Sequence, residues 1–195
     1  MGADEVPFDE LVDTLKKAVA ALRDHNVPYL LGGGLAVWAR GGPERDHDLD
    51  FMVREEDADR ALQALVDAGM RPEKPPEGWL YKAYDENGVM VDVIYRPTEN
   101  PVTDEMLARG EELEVMAIQV TVMSPEDVFV SKLLALREHE LDYDSVIEMT
   151  RSVREQIDWN VVRERTAQSP FARAFFTLAE GLELIEPLRE DTATR

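Results

Sequence analysis

The sequence predicts an α+β protein, with a mixed β-sheet flanked by helices in its first part and a helical bundle after it. Three observations carry this. Up to Met123, segments of helical period alternate with short apolar segments of strand period. Within that part, "LYKAYDENGVMVDVIY" holds two strand-like runs joined at Asn87-Gly88, the strongest short-range hairpin signal. After Ser124-Pro125 the strand-like segments stop and only helical periods follow, which places a boundary between residues 1–124 and 125–195.

The elements follow in order. Pro7 to Asn26 reads as a helix, since Leu11, Leu15, Ala18, Val19 and Leu22 recur at helical spacing, and Asp24-His25-Asn26 ends it. Val27 to Leu31 is a short apolar strand closed by Gly32-Gly33-Gly34. A second helix begins over Leu35 to Ala39 and is broken by Gly41-Gly42-Pro43. Asp46 to Val53 alternates as a strand, with the aspartates on one face and His47, Leu49 and Phe51 on the other. Glu55 to Ala68 is an amphipathic helix, and Gly69 sits where a C-terminal cap belongs. "RPEKPPEGW" is a loop leading into the hairpin, and Thr103 to Arg109 is a short helix. Glu112 to Met123 is a strand pair or one kinked strand. Pro125–Leu136, Tyr143–Gln156, Trp159–Thr166 and Pro170–Leu184 are helices, the first capped by Ser124 with Pro125 at its first position. The tail after Pro187 is expected to fray.

Composition narrows the function. The chain of 195 residues is 44% hydrophobic and 32% charged, as in folded globular proteins. No apolar run approaches the roughly 18–20 residues that cross a bilayer, so no membrane partner is expected. The opening "MGADEVPFDE" lacks the basic-then-apolar pattern of a signal peptide, and there is no cysteine for disulfides or thiolate metal sites. A cytoplasmic location is the expectation. The net charge of −20 repels nucleic-acid backbones and favours small cationic ligands.

The chemistry concentrates in "LGGGLAVWARGGPERDHDLDFMV", where Asp46, Asp48 and Asp50 recur at every second position of a strand. Aspartate is a poor strand former and like charges on one face repel, so the run is either an acidic edge or a cation site. Residues i and i+2 of a strand lie about 6.5–7 Å apart on one face, which lets Asp48 and Asp50 share a hard cation. Asp92, inside the apolar "VMVDVIY", is a buried carboxylate that needs either a metal or an Arg or Lys partner. Gly32-Gly33-Gly34 at a strand-to-helix junction either presents backbone N–H groups to an anion or makes a tight turn with close packing. Trp79 and Tyr81 are candidates for stacking on a base or acceptor, or for core packing. Arg137 either binds phosphate or pairs with an acid.

"GGGLAVWARGGPERDHDLDFMV" followed by "VMVDVIY" resembles the nucleotidyltransferase superfamily that includes DNA polymerase β and the antibiotic adenylyltransferases. The signature is an apolar residue, Gly, then Gly or Ser; after an interval, Asp-apolar-Asp/Glu; and a third carboxylate on a later strand. Those places fall here on Gly33 and Gly34, on Asp48 and Asp50, and on Asp92. "SPEDVFVSKLLALREHELDYDSV" resembles the segment after the catalytic sheet in bacterial minimal and toxin-type branches. There Lys132 matches a helical lysine that helps hold the triphosphate, and Asp142 and Asp144 compete for a following acidic position. The chain departs from the pattern at Gly34, where Ser is frequent, in a long interval before Asp48, and in Arg45-Asp46-His47 ahead of the first aspartate.

The resemblance implies a nucleotidyltransferase-like catalytic domain over 1–124 followed by a helical region over 125–195. It implies two Mg²⁺ ions, replaceable by Mn²⁺, held by Asp48, Asp50 and Asp92. Gly33, Gly34, Arg45 and Lys132 would bind the phosphates of a nucleoside triphosphate. A nucleoside monophosphate would pass to a hydroxyl of a small molecule, tRNA or protein, with release of pyrophosphate. The alternative it leaves open is a catalytically silent module of the same fold, such as a toxin–antitoxin partner or nucleotide sensor. The helical region would select the acceptor or form a homodimer interface.

Overall fold

The computed structural model describes residues 7–43, 48–98 and 100–187, and the chain splits into two compact units, Met1–Ser124 and Pro125–Arg195. In the first unit a seven-stranded mixed sheet has the order β3-β4-β5-β2-β1-β7-β6. Its strands are β1 (Leu30–Leu31), β2 (Leu49–Met52), β3 (Arg71–Glu73), β4 (Leu80–Tyr84), β5 (Met90–Ile94), β6 (Glu111–Val115) and β7 (Ile118–Val122). The helices are α1 (Phe8–Asp24), α2 (Gly33–Trp38), α3 (Ala58–Asp67) and α4 (Asp104–Ala108). β2 runs parallel to β5 and β1 parallel to β7, while the other pairs are antiparallel.

Alternation along the strands separates the two faces. Leu49, Phe51, Val91, Val93 and Ala83 are fully buried on the face that takes the helices, where α3 packs against β4, β5 and α1. The apolar stripe of α1 (Leu11, Leu15, Ala18, Val19 and Leu22) is buried throughout, as its spacing predicts. α3 closes as expected: Gly69 adopts φ +89°, its N–H bonds Val66 O at 2.8 Å, and Met70 N bonds Leu65 O at 3.0 Å.

Several boundaries differ from the sequence reading. Strand β1 keeps only Leu30–Leu31 of the predicted Val27–Leu31, because Pro28 has no N–H to give a ladder. The predicted Glu55–Ala68 helix opens with a 3₁₀ turn over Glu55–Asp57. "RPEKPPEGW" is not all loop: Arg71–Glu73 form the edge strand β3, which accommodates Pro72 because an edge has one unpaired side. Glu111–Val122 resolves into two strands joined by Met116 and Ala117, both in the left-handed region at φ 52° and 60°. Of the predicted Asp46–Val53 strand, Asp46 and His47 lie outside the described residues, as does Arg45.

The second unit is helical: α5 (Pro125–Ala135), α6 (Tyr143–Val153), α7 (Trp159–Thr166) and α8 (Pro170–Gly181). Trp159 is its aromatic centre, with ring centroids 5.1 Å from Phe129 and 6.3 Å from Phe175. Asp127 is fully buried on α5 and accepts a 2.6 Å hydrogen bond from Arg165 on α7. Asp142, Asp158 and Ser169 cap the N-termini of α6, α7 and α8. No helix among the described residues is long and apolar enough to cross a membrane.

Candidate active site

Three adjacent strands bring the site together on the sheet face opposite α3. Asp50 on β2 stands directly beside Asp92 on β5, and Lys82 on β4 stands directly beside Asp92 on its other side. Residues at matched register on neighbouring strands point the same way, so Lys82, Asp92 and Asp50 form a row across the sheet. Asp48, two residues before Asp50, is exposed, Asp50 is half-buried, and Asp92 is 8% exposed.

The glycine turn abuts this row. Gly32 N–H donates to Asp50 O at 2.8 Å, tying the turn to β2 at the aspartate itself. Gly33 adopts φ +58°, and a Cβ built there would fall 1.8 Å from Asp50 Oδ2. Only glycine meets both conditions. Gly34 follows as the second residue of α2, whose first N–H groups have no intrahelical acceptor. Gly33, Gly34, Asp48, Asp50 and Asp92 are therefore assembled in one place.

Lys82 carries no signal of its own in the sequence. Its Nζ donates to Asp92 Oδ1 at 2.9 Å and Oδ2 at 3.2 Å, and it also lies 3.1 Å from Met90 Sδ. Burial works against the ammonium, but its hydrogen bond to Asp92 and the charges of Asp92 and Asp48 outweigh that and raise its pKa above that of an ordinary lysine. Both readings of Asp92 thus bear on one residue: it shares the face of the other carboxylates, and it has a lysine partner. Among the described residues, no three carboxylate or imidazole groups converge closely enough to hold a metal ion between them.

Other candidates are placed as follows. Lys132 is half-buried in the last turn of α5, in the second unit. Asp142 spends its carboxylate on the α6 cap, accepting from Ser145 N, while Asp144 is exposed in the first turn of that helix. The Arg137 guanidinium donates to Leu134 O and Leu136 O at the end of α5. Tyr81 alternates with Lys82 and faces the other side of the sheet, where its ring meets Tyr95 at 5.2 Å and lies under Lys74 Nζ at 4.3 Å. That pairing removes Tyr81 from the carboxylate face. Trp79 stays 39% exposed.

Comparison with known proteins settles the family. Residues 9–184 match the model of a family described as uncharacterised nucleotidyltransferases. The chain is a member of that nucleotidyltransferase family. No curated protein sequence is similar enough to be matched to it. Among solved structures, the nucleotidyltransferase resembles ANT(2'')-Ia in complex with adenylyl-2''-tobramycin, at a TM-score of 0.61 and 17% identity over 86% of this chain and 99% of that one. A solution structure of the antibiotic-resistance factor ANT(2'')-Ia gives a TM-score of 0.60 and 17% identity over 90% and 96%. The lincosamide antibiotic adenylyltransferase LnuA, lincomycin-bound, gives 0.51 and 18% over 75% and 96%. At these identities the likeness is one of fold.

Proposed function

We propose that this nucleotidyltransferase moves a nucleoside monophosphate from a nucleoside triphosphate to a hydroxyl of a small, cationic acceptor. The observation that carries the reading is the contact of Gly33 with Asp50, in register with Asp92. A carboxylate pressed against a glycine turn puts cation ligands and phosphate-binding N–H groups within one triphosphate of each other. The donors are hard oxygens of the kind Mg²⁺ takes, and their residue types and common face fit such an ion. Asp48, Asp50 and Asp92 do not converge on one point by themselves and would supply ligands to it alongside the oxygens of the triphosphate. When bound, the cation offsets charge on the triphosphate and makes the acceptor hydroxyl easier to deprotonate.

The chain's own residues do the rest. The N–H groups of Gly33 and Gly34 hold the β- and γ-phosphates. That fixes the α-phosphorus beside the carboxylate row. The acceptor oxygen bonds to the α-phosphorus, its proton passes to Asp92, and the bond to the bridging oxygen of pyrophosphate breaks. The net charge of −20 supports a cationic small molecule over tRNA as acceptor, in keeping with the antibiotics named for the structural neighbours. The first unit would be the catalytic domain.

One observation favours a second reading. The Lys82–Asp92 ion pair occupies a carboxylate that transfer requires, as in a module that binds nucleotide without turning it over. Thermal unfolding with ATP, GTP, CTP and UTP, with and without Mg²⁺, tests whether the site binds at all. A ligand at about 100 times its Kd adds about 2.7 kcal/mol. The expected result is a Mg²⁺-dependent shift with at least one nucleotide, absent in Asp48→Asn/Asp50→Asn. No shift with any nucleotide overturns both readings.

A further inference from the structure

Lys82 meets Asp92 in a way that bears on how the site takes up its cation. The two residues are cross-strand partners, and the ammonium straddles the carboxylate at 2.9 and 3.2 Å. The side chains are 22% and 12% exposed, so the pair is only weakly screened by solvent. Asp50 flanks Asp92 on the next strand, and the charge of Asp48 also acts on Lys82. A row of three carboxylates on one face is self-repelling, and the Lys82 ammonium is a positive charge built in beside Asp92.

We propose that Lys82 competes with divalent cations for Asp92, so that the site takes up its metal together with the nucleotide rather than before it. This rests on the reading of Asp48, Asp50 and Asp92 as metal ligands. An ammonium across both oxygens denies a dication that carboxylate and repels it at close range. Asp48 and Asp50 alone then form a weak site for a free ion. A metal–triphosphate complex brings phosphate oxygens of its own and needs fewer protein ligands to start. Lys82 hangs on a flexible four-carbon stem and is partly exposed, so it can swing off Asp92 once the complex is seated.

The test is titration of the full chain with Mn²⁺ alone, without nucleotide, followed by electron paramagnetic resonance of the free ion. Lys82→Met is expected to bind Mn²⁺ about fivefold more tightly than the parent, the change that losing a modest competing ion pair gives. Lys82→Gln repeats the test if the Met variant does not fold. Lys82→Arg, which keeps the charge, stays near the parent. Adding Asp92→Asn to Lys82→Met removes the gain. Unchanged or weaker Mn²⁺ binding in Lys82→Met and Lys82→Gln overturns the competition while leaving the metal site standing. If neither parent nor variants bind Mn²⁺ over the millimolar range, the metal reading itself falls, and this proposal with it.

Discussion

Replacing Gly33 by alanine tests the geometry that joins the glycine turn to the carboxylates. Two costs add. A non-glycine residue at φ +58° sits in the left-handed region, at about 1–2 kcal/mol. The new Cβ also lands 1.8 Å from Asp50 Oδ2, 2.8 Å from its Cγ and 3.1 Å from its Cβ. The carboxylate can rotate away, but the Asp50 Cβ is fixed to β2, so backbone must give as well, for about 1–2 kcal/mol more. The total is about 3 kcal/mol, which lowers Tm by about 6–12 °C in a chain of this size. Gly69→Ala is the control: φ is +89° there and nothing lies within 4 Å of the place its methyl group would take, so only the backbone cost applies. Calorimetry of both variants, with and without Mg²⁺–nucleotide, reads the difference. Gly33→Ala is expected to lose more stability than Gly69→Ala and to lose its nucleotide-dependent shift. A Gly33→Ala protein as stable as Gly69→Ala that still responds to nucleotide refutes the placement of Asp50 against the turn.

Two further predictions concern ion pairs outside the site. Asp127 is fully buried while Arg165 is 32% exposed, so removing either partner has unequal effects. Arg165→Met takes the cation from a fully buried carboxylate and should cost more than Asp127→Asn, which leaves a cation that reaches water; denaturant unfolding of both variants checks the order. His25 has Ala21 O at 3.0 Å from Nδ1 and Asp67 at 3.0 Å from Nε2, so only the imidazolium satisfies both acceptors. The backbone carbonyl of Ala21 and the Asp67 side chain raise its pKa above 6.5. The stabilisation is then full below pH 6.5 and lost as pH rises through the folded-state pKa. An NMR titration should place that pKa above 6.5 in the parent, and Asp67→Asn should lower it.

Much of this was legible in the sequence because the physics is local. The spacing in α1 and α3, Gly69 at its cap, and the Asn87-Gly88 signal each depend on a few neighbouring residues. That Asp92 would be buried with a partner was legible for a related reason: an aspartate within "VMVDVIY" cannot be buried alone. Lys82 was not, because its role depends on register. A two-residue Asn-Gly turn would set Lys82 opposite Val93. Instead Asp85 N bonds Val89 O at 3.1 Å, Gly88 takes φ +85°, and Asp85 Oδ1 accepts from Asn87 N and Val89 N. The loop is thus one residue longer, and Lys82 moves opposite Asp92 and onto its face. The β6–β7 turn was ambiguous for the opposite reason. Its two left-handed residues are Met116 and Ala117, which carry no turn signal, so the fold imposes a conformation that the local sequence does not advertise. Pro72 in β3 misled in the same way, since the edge position that tolerates it is a property of the whole sheet.

The most direct test of nucleotidyl transfer is to follow the fate of the triphosphate. The protein is incubated with Mg²⁺, the nucleotide that stabilises it, and a panel of aminoglycosides and lincosamides, with pyrophosphate, inorganic phosphate and acceptor mass read together. The expected result is one acceptor that gains a nucleoside monophosphate as an equal amount of pyrophosphate appears, with both signals lost in Asp50→Asn. Cleavage that yields inorganic phosphate and a nucleoside diphosphate, or nucleotide that binds and stays intact with every acceptor, would contradict it.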